Sequence, residues 1–206
     1  MRGRVTVKAL AATWVVAATC AGVAFGQGAK YVPATAITLH PKCEWLPTTE
    51  LGPFVKLGDG RVLTVAQNVV LTSNDDGRTW QPGAAVSDPA VYDDPGNGAM
   101  LRTRSGVIVR AFVNLKEKVF QWDYEGVGPL PECQLPVYVV RSEDEGETWS
   151  APEKLQDGWC GYVRNLIETE SGRLVLVSQV AVPNPGHHVS MTYVSDDAGK
   201  TWTQSN

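Results

Sequence analysis

The sequence has no dense run of basic residues and no sustained helical repeat of apolar positions. Its 206 residues include 18 Lys and Arg against 22 Asp and Glu, a formal net charge of −4. No stretch is basic enough to follow a phosphate backbone, so nucleic acid is not an expected partner. The lack of helical periodicity excludes a coiled coil or a long-helix bundle. The 20 Gly and 13 Pro are spread along the chain, which excludes a collagen-like or disordered composition and leaves a globular unit with a core.

The first 26 residues have the pattern of a secretory signal peptide. Three basic residues lie within the first eight positions, an apolar run covers 9–24, and small residues precede Gln27. A membrane anchor is the alternative, but a run of about 16 residues is shorter than the roughly 20 that a spanning helix needs. We therefore expect a secreted or periplasmic protein that is not stably inserted in a membrane. The mature chain keeps 15 basic and 22 acidic residues, a formal charge of −7.

Three copies of one pattern, S-x-D-x-G-x-T-W, occupy residues 73–80, 142–149 and 195–202. In such a segment the Ser and Asp side chains bond to the backbone of a tight loop, Gly adopts φ > 0, and Thr and Trp begin a new strand. We therefore predict a hairpin turn in each copy. A calcium loop is the competing interpretation, and it is disfavoured because no copy has Glu at the twelfth position.

Each copy is preceded by further strand-like segments. A turn centred on Gly60, Gly106 or Gly172 leads into an aliphatic run, and another strand then enters the repeated turn. Every unit is thus predicted to be a four-stranded antiparallel meander, and meanders recurring about every 50 to 70 residues are typical of a β-propeller. A closed propeller needs at least about four blades. We expect an all-β chain in which 53–206 forms about three blades of a larger, truncated propeller.

The triple repeat resembles the Asp box, or BNR repeat, of the sialidases (neuraminidases). Residues 87–93 are similar to the family segment that follows the first box, and 172–179 to a strand of the third blade. The resemblance implies a six-bladed propeller of sialidase type, preceded here by a lead-in segment over 27–52. It also implies exo-α-sialidase activity, the hydrolysis of terminal sialic acids from glycans. A non-catalytic Asp-box propeller that binds glycans or another protein is the alternative.

Strand order divides the loops between two faces of the predicted propeller. Connections between the first and second and between the third and fourth strands lie on one face, which carries the Asp boxes. The other face, where the resemblance implies a glycan site, collects residues 66–68, 81–97, 115–135, 150–162 and 182–188. We predict that Asp88, Trp122 and Tyr162 lie on this second face, opposite Trp80 and Trp149.

Five residues are candidate substrate-binding positions. The setting of Asp88 is similar to the family segment that supplies a substrate-contacting Asp, and an Asp-Pro turn is the alternative. Trp122 and Tyr124 are candidates for walling a sugar pocket, the alternative being a surface loop that tucks its Trp into a small core. Arg110 and Arg164 are candidate anion clamps because a guanidinium presents a planar fork to a carboxylate. For Arg110, on a predicted strand, a surface charge is the alternative.

The early catalytic positions that the resemblance implies are not filled. The first arginine of the family belongs near residues 45–47, which contain none, and the Asp acid/base belongs where Ala66, Gln67 and Asn68 stand. The other arginines, and the Tyr nucleophile with its Glu, belong to further blades. That arrangement is an exception to the usual pair of carboxylates. We therefore assign no catalytic residue and expect the chain alone to be inactive.

No cofactor or metal site is expected. His187 and His188 are adjacent, so their rings point apart on an extended strand, and no Cys or Asp near them completes a ligand set. The expected partner is a sialylated or other glycan, as the resemblance implies.

Cysteine is scarce, with four residues of which Cys20 lies in the predicted signal peptide. Export permits disulfides. Cys133 and Cys160 belong to neighbouring loops on one predicted face, so we predict a bridge between them, which would leave Cys43 unpaired. Three independent buried thiols are the alternative.

Overall fold

The computed structural model describes residues 40–43, 48, 50–96 and 98–205. The predicted signal peptide and most of the lead-in segment lie outside the described residues. The chain divides into two units, Met1–Glu44 and Trp45–Asn206. In the described part of the first unit, the backbone N–H of Cys43 donates to the carbonyl of His40 (2.8 Å). Within the described residues, we find no helix of the length and hydropathy needed to cross a bilayer.

Three four-stranded antiparallel sheets form the second unit, and each is a meander in chain order. Blade 1 contains β1 (Val55–Lys56), β2 (Val62–Ala66), β3 (Val69–Ser73) and β4 (Gln81–Ala85). Blade 2 contains β5 (Ala99–Arg102), β6 (Ile108–Val113), β9 (Val137–Ser142) and β10 (Glu153–Gln156), with a small hairpin of β7 (Trp122–Asp123) and β8 (Gly128–Pro129) inserted between β6 and β9. Blade 3 contains β11 (Asn165–Glu168), β12 (Leu174–Val182), β13 (His187–Ser195) and β14 (Thr203–Ser205).

The first strands of the three blades are neighbours. Strand β5 contacts both β1 and β11, whereas the last strands of blades 1 and 3, β4 and β14, are exposed along their whole lengths. The blades therefore meet at their first strands and point their last strands outward, which is the arrangement of propeller blades around an axis. The predicted order of strands within each blade is confirmed.

An apolar core fills each of the two interfaces between neighbouring blades. Side chains of β2, including Leu63 and Val65, pack with Ile108 and Phe112 between blades 1 and 2. The alternate residues of β6, Val109 and Ala111, belong to the core shared with blade 3. All six residues of β6 are buried, because a neighbouring blade covers each face of this sheet.

The Asp boxes are hairpin turns, as predicted, and their Ser and Asp side chains accept hydrogen bonds from backbone N–H groups of the turn. In the first box, Ser73 Oγ donates to Asp75 Oδ1 (2.7 Å) and accepts from the N–H of Gly77 (2.7 Å). The carboxylate of Asp75 accepts from both the N–H (2.8 Å) and the hydroxyl (2.7 Å) of Thr79. The same contacts recur in the other two boxes. Hydrogen bonds from Thr79 lower the pKa of Asp75 from 3.8 to about 2.

The box of blade 2 also closes the core between blades 1 and 2. Gly146 has φ of 90°, and a Cβ added there would lie 2.5 Å from Leu63 Cδ1. The neighbouring Glu145 accepts from Arg102 (Nη2 to Oε1, 2.5 Å) and from the N–H of Gly58 in blade 1 (3.3 Å). The box glycine is therefore required both by the backbone turn and by close packing against the next blade.

The structure corrects two sequence predictions. Residues assigned to the blade-to-blade loops over 81–97 and 150–162 include the fourth strands β4 and β10, which lack the β-branched alternation that marks a strand. The predicted bridge between Cys133 and Cys160 is wrong, since both are free thiols. Cys160 packs in the core between blades 2 and 3, whereas Cys133 lines a groove on the surface.

Candidate functional site

The two faces of the blades carry different features. The Asp boxes, with Trp80 and Trp149, join third to fourth strands and define what we call the box face. Trp122 lies in the connection from the second strand to the third strand of blade 2, and Asp88 and Tyr162 lie in blade-to-blade connections. Because neighbouring strands are antiparallel, these three residues are at the opposite end, here called the pocket face. The predicted division of the aromatic residues between the faces is confirmed.

A cavity of about 500 Å³ opens on the pocket face at the first strands of blades 1 and 2. We call it the inner pocket. It lies where the chain enters β1, leaves β2 and approaches β5, and its lining consists of Glu50, Leu51, Gly52, Pro53, Thr64, Val65, Ala66, Gln67, Pro95, Gly96 and Gly98. Its volume is within the range of about 300–1,000 Å³ that is typical of ligand sites.

The turn between β2 and β3 places an amide at the inner pocket. Gln67 and Asn68 have φ of 48° and 68°, the positive values that a tight two-residue hairpin turn requires. Asn68 is buried, and its side chain donates to the carbonyl of Ser87 (2.7 Å) and accepts from the hydroxyl of Ser87 (2.8 Å). Gln67 is exposed and lines the pocket. An uncharged amide thus stands at the turn where the sialidase resemblance implies a carboxylic acid.

Arg110, a predicted substrate-binding residue, lies in the protein interior. Its guanidinium donates through Nε to Asp94 Oδ2 (2.6 Å) and through Nη2 to Asp94 Oδ1 (2.8 Å), and neither side chain has exposed surface. Asp94 also accepts from the N–H of Gly96 (2.8 Å), which lines the inner pocket. The surface-charge interpretation of Arg110 is wrong, because β6 is covered on both sides. The pair holds the loop that borders the pocket.

Asp88 lies on the pocket face in a tightly held turn. Its Oδ1 accepts from the N–H of Ala90 (2.8 Å), and its carbonyl accepts from the N–H of Tyr92 (2.9 Å). The side chain of Asn114 fixes the end of the same connection by accepting from the N–H of Asp93 (2.9 Å). The carboxylate of Asp88 initiates the turn while the residue remains exposed. Its contact with substrate stays a prediction.

Arg164 lies on the pocket face immediately before β11. Its Nε donates to Gln179 Oε1 (2.8 Å), Nη2 contacts the same oxygen, and the guanidinium lies over the ring of Tyr162 at 4.9 Å. Because β11 contacts β5, Arg164 is at the same end of adjacent first strands as the edge of the inner pocket. The residue is exposed, so a partly oriented positive charge faces solvent there.

A second cavity, of about 530 Å³, separates the insertion of blade 2 from blade 3. We call it the aromatic groove. Its lining consists of Asp123, Gly126, Gly128, Pro129, Leu130, Pro131, Cys133, Gly158, Trp159, Ala181, Pro183 and Asn184. The backbone of Trp159 accepts from the N–H of Ala181 (3.0 Å), which fixes Trp159 against β12. Trp122 stacks on Phe120, and Tyr124 at the hairpin tip is 79% exposed.

One Tyr and Glu contact lies apart from both cavities. Tyr138 donates to Glu117 Oε1 (2.5 Å), and Lys154 donates to Glu117 Oε2 (2.9 Å). Burial, and then the neighbouring carboxylate, raise the pKa of Tyr138, while the Tyr, Lys and Asn donors outweigh burial and lower the pKa of Glu117. Neither residue lines the inner pocket or the groove. This cluster ties the insertion of blade 2 to its outer strand and is structural.

His187 and His188 lie at the start of β13, paired with consecutive residues of β12. His187 Nδ1 is 2.7 Å from the carbonyl oxygen of Pro185. Among the residues that the structure describes, no three His, Cys, Asp or Glu side chains converge as metal ligands would.

Sequence reasoning missed several residues of the pocket face. Gln179 lies on β12, the strand that pairs with β11, and the sequence does not link it to Arg164. Trp159 was included only in a long loop. Asp94 was not expected to pair with Arg110, 16 positions away. The paired positive φ values at Gln67 and Asn68 were also unexpected, because Gln, unlike Asn, is uncommon in the left-handed region. A polar pair joining two aliphatic strands is the one pattern that indicates this tight turn.

The fold defines a protein of the β-propeller class with three four-stranded blades. A family described as the BNR repeat-like domain matches residues 66–206, and the chain belongs to that family. The predicted relationship to the Asp-box propellers is confirmed. A comparison with curated proteins finds no match.

Solved structures with similar folds have low sequence identity. A protein of unknown function from Dyadobacter fermentans DSM 18053 is 20% identical, with a TM-score of 0.53, over 74% of this chain and 52% of that chain. An α-L-arabinanase from Penicillium chrysogenum, complexed with arabinobiose, is 14% identical, with a TM-score of 0.51. The match covers 77% of this chain and 50% of the arabinanase chain. A Hadza microbial sialidase is 20% identical, with a TM-score of 0.49, and the match covers 74% of this chain and 36% of the sialidase chain. The chain thus spans about half the length of the first two.

Proposed function

We propose that this protein is an exported glycan-binding member of the BNR family, and that its ligand is a glycan with a terminal sialic acid. We further propose that the chain binds this sugar on the pocket face without hydrolysing it. The observation that carries the proposal is the inner pocket, which has the volume of a ligand site but an amide, Gln67, at the turn where the resemblance implies an acid.

Arg164 is the proposed partner of the sugar carboxylate. The hydrogen bonds of its guanidinium run from Nε and Nη2 to Gln179, which orients the planar group and leaves Nη1 for another acceptor. A charge-assisted contact between Arg and a carboxylate is about twice as strong as a neutral hydrogen bond. The packing of the guanidinium over Tyr162 adds to the orientation. The carboxylate of a sialic acid bound beside the inner pocket is the ligand group that this arrangement favours.

Hydrolysis needs groups that the described pocket does not supply. Most glycosidases use two carboxyl groups that flank the scissile bond. Among the described residues that line the inner pocket, Glu50 is the single ionisable one. The described Tyr and Glu pair, Tyr138 and Glu117, is held by Lys154 away from the pocket. Binding without turnover is therefore the function that this geometry favours.

Exo-α-sialidase activity is the second candidate. It is favoured by the ordered series of three Asp boxes and the similar segments between them, which resemble the sialidases. On that hypothesis the acid and nucleophile come from residues other than those of the inner pocket described above.

Two assays with the purified chain distinguish these functions. Isothermal titration calorimetry with 3′-sialyllactose, using lactose as the neutral control, is expected to show saturable binding of the sialoside alone. We expect Arg164→Gln to weaken this binding by about tenfold, the loss of one charge-assisted hydrogen bond. The matched control is Arg104→Gln, an exposed arginine near the box face, which is expected to have no effect. Release of the fluorophore from a fluorogenic sialoside would instead support the second candidate.

Export is proposed from the sequence pattern of residues 1–26. N-terminal sequencing of the protein recovered outside the cytoplasm is expected to begin near Gln27. A protein that keeps Met1, or that remains in the cytoplasm, would contradict this part of the proposal.

A further inference from the structure

The aromatic groove is built by two hairpin tips in direct backbone contact. The N–H of Gly186, in the turn between β12 and β13, donates to the carbonyl of Val127 (2.6 Å). A Cβ added to Gly186 would lie 2.5 Å from Gly128 Cα, so no larger residue fits without movement. Val127 has φ of 50°, a strained value for a β-branched residue. The contact between the tips fixes one wall of the groove.

Exposed apolar side chains are concentrated beside this groove. The described residues include nine large hydrophobic side chains that are exposed, and four of them lie within the blade 2 insertion: Phe120 (52%), Tyr124 (79%), Val127 (53%) and Leu130 (39%). Single exposed apolar residues are ordinary, but a cluster of them marks an interaction site. The cluster adjoins a concave surface, which favours a ligand that enters the groove.

The aromatic rings of the insertion are held in fixed orientations. Phe120 stacks on Trp122 with 6.3 Å between centroids and 13° between planes, and it meets Trp159 edge to face at 4.9 Å. Trp159 in turn lines the groove. Rings that are already ordered lose little entropy when a ligand packs on them. A ligand with a flat apolar face therefore suits this surface.

The charge around the groove disfavours an acidic ligand. Asp123 lines the groove, and Glu125 and Glu132 are exposed residues of the same insertion. Asp157 is paired with Lys154 (3.5 Å), and one ammonium, that of Lys118, lies 5.9 Å from the centroid of the Trp159 ring, so the carboxylates outnumber the free cation. The hydrogen bonds described for Asp123 come from the N–H groups of Glu125 and Gly126, and both end at Oδ1. Its Oδ2 is thus an acceptor for hydroxyl donors. These carboxylates would repel the negative charge of an anionic sugar bound in the groove, whereas a neutral sugar would not be repelled.

We propose that the aromatic groove is a second ligand site, separate from the inner pocket, that binds a neutral oligosaccharide. The apolar faces of its sugar rings pack on Trp159 and Leu130, and its hydroxyl groups donate to Asp123 Oδ2 and contact the side chain of Asn184. The volume of about 530 Å³ lies in the range of sites for drug-sized ligands, sufficient for about two or three sugar rings. The proposal goes beyond the sialoside site and does not depend on it.

Calorimetric titration of the 206-residue protein with cellotetraose tests this site, with the fluorescence of its Trp residues as a second readout. We expect saturable binding with a change in emission. Leu130→Ala, in the groove lining, and Phe120→Ala, at the ring that contacts Trp159, are each expected to weaken binding by about tenfold. The matched control is Ile167→Ala, because Ile167 on blade 3 is 49% exposed and lies outside the groove. Leu130 is 39% exposed and belongs to neither apolar core, so its variant is expected to fold with an unchanged melting temperature.

Three outcomes would overturn the proposal. Absence of saturable cellotetraose binding, or binding that the Leu130 and Phe120 variants leave unchanged, would exclude a saccharide site at the groove. Equal or tighter binding of tetragalacturonate would contradict the charge argument. Displacement of cellotetraose by a hexalysine peptide that itself binds more tightly would assign the groove to a basic protein partner. Arg164→Gln is expected to leave cellotetraose binding unchanged, so this test and that of the sialoside site fail independently.

Discussion

Arg110 and Asp94 form a fully buried ion pair, with 2.6 Å between Nε and Oδ2. The strand that carries Arg110 is covered by blades on both sides, and Asp94 belongs to the connection that enters blade 2. The Asp94 carboxylate is shared between the guanidinium and the N–H of Gly96. A charge in the core therefore sets the position of a loop at the inner pocket.

Removing one partner of this pair is expected to destabilise the protein strongly. Asp94→Asn leaves the Arg110 charge buried without compensation, which costs about 3–5 kcal/mol of unfolding free energy. The control is Asp59→Asn, because Asp59 pairs with Arg61 at the same distance of 2.6 Å but at the surface, where an ion pair contributes much less to stability. Urea denaturation of both variants measures the difference. Equal losses would contradict the buried role of Arg110.

The glycine of the second Asp box is expected to be more sensitive to substitution than an equivalent turn glycine. Gly146 and Gly172 have φ of 90° and 86°, so the backbone strain of an alanine is similar at both. A Cβ added at Gly146 would lie 2.5 Å from Leu63 Cδ1, whereas a Cβ added at Gly172 would have no atom within 4 Å apart from its chain neighbours. Gly146→Ala is expected to cost about 1–3 kcal/mol more than Gly172→Ala, the cost of overpacking.

Thermal or urea unfolding of the two glycine variants provides the comparison. If Gly146→Ala and Gly172→Ala are equally destabilised, the contact between the second box and blade 1 does not restrict this position. Retained stability in both would show that the turns relax without strain.

The Asp boxes are expected to make stability depend on acid pH. Hydrogen bonds led by the Thr201 hydroxyl lower the pKa of Asp197 from 3.8 to about 2. A carboxyl whose pKa is lower in the folded state stabilises the fold above its ordinary pKa, and this contribution is lost as the pH falls through the folded value. Asp197→Asn should therefore be less stable than the native protein near neutral pH, with the difference shrinking as the pH falls from about 4 towards 2. A constant difference across that range would contradict the assignment.

The repeats and the strand pattern predict more of the fold than of the candidate site. The three Asp boxes and the aliphatic runs before them predict the meanders, since the boxes combine a turn glycine with a following Trp. Strand β4, with the sequence Gln-Pro-Gly-Ala-Ala, has no such pattern and was predicted as loop. Its residues are exposed on the outer edge of blade 1, so burial does not select apolar side chains there.

The burial and the contacts of individual site residues could not be predicted from the sequence. The burial of Arg110 depends on blades packing on both faces of β6, and a single strand pattern does not show how many faces are covered. Trp122 and Tyr124 were predicted as possible walls of a sugar pocket, and the groove that adjoins them depends on contact between Gly128 and Gly186. Those glycines are 58 positions apart, so their contact is a property of the assembled blades.

Backbone amide chemical-shift mapping with 3′-sialyllactose tests the central claim, that the ligand binds on the pocket face at the first strands. We expect shifts among residues 50–53, 64–67, 95–96, 98 and 161–164, which surround the inner pocket and Arg164, with little change in the Asp boxes at 73–80, 142–149 and 195–202. Shifts confined to the Asp boxes, or no saturable shifts at all, would contradict the account.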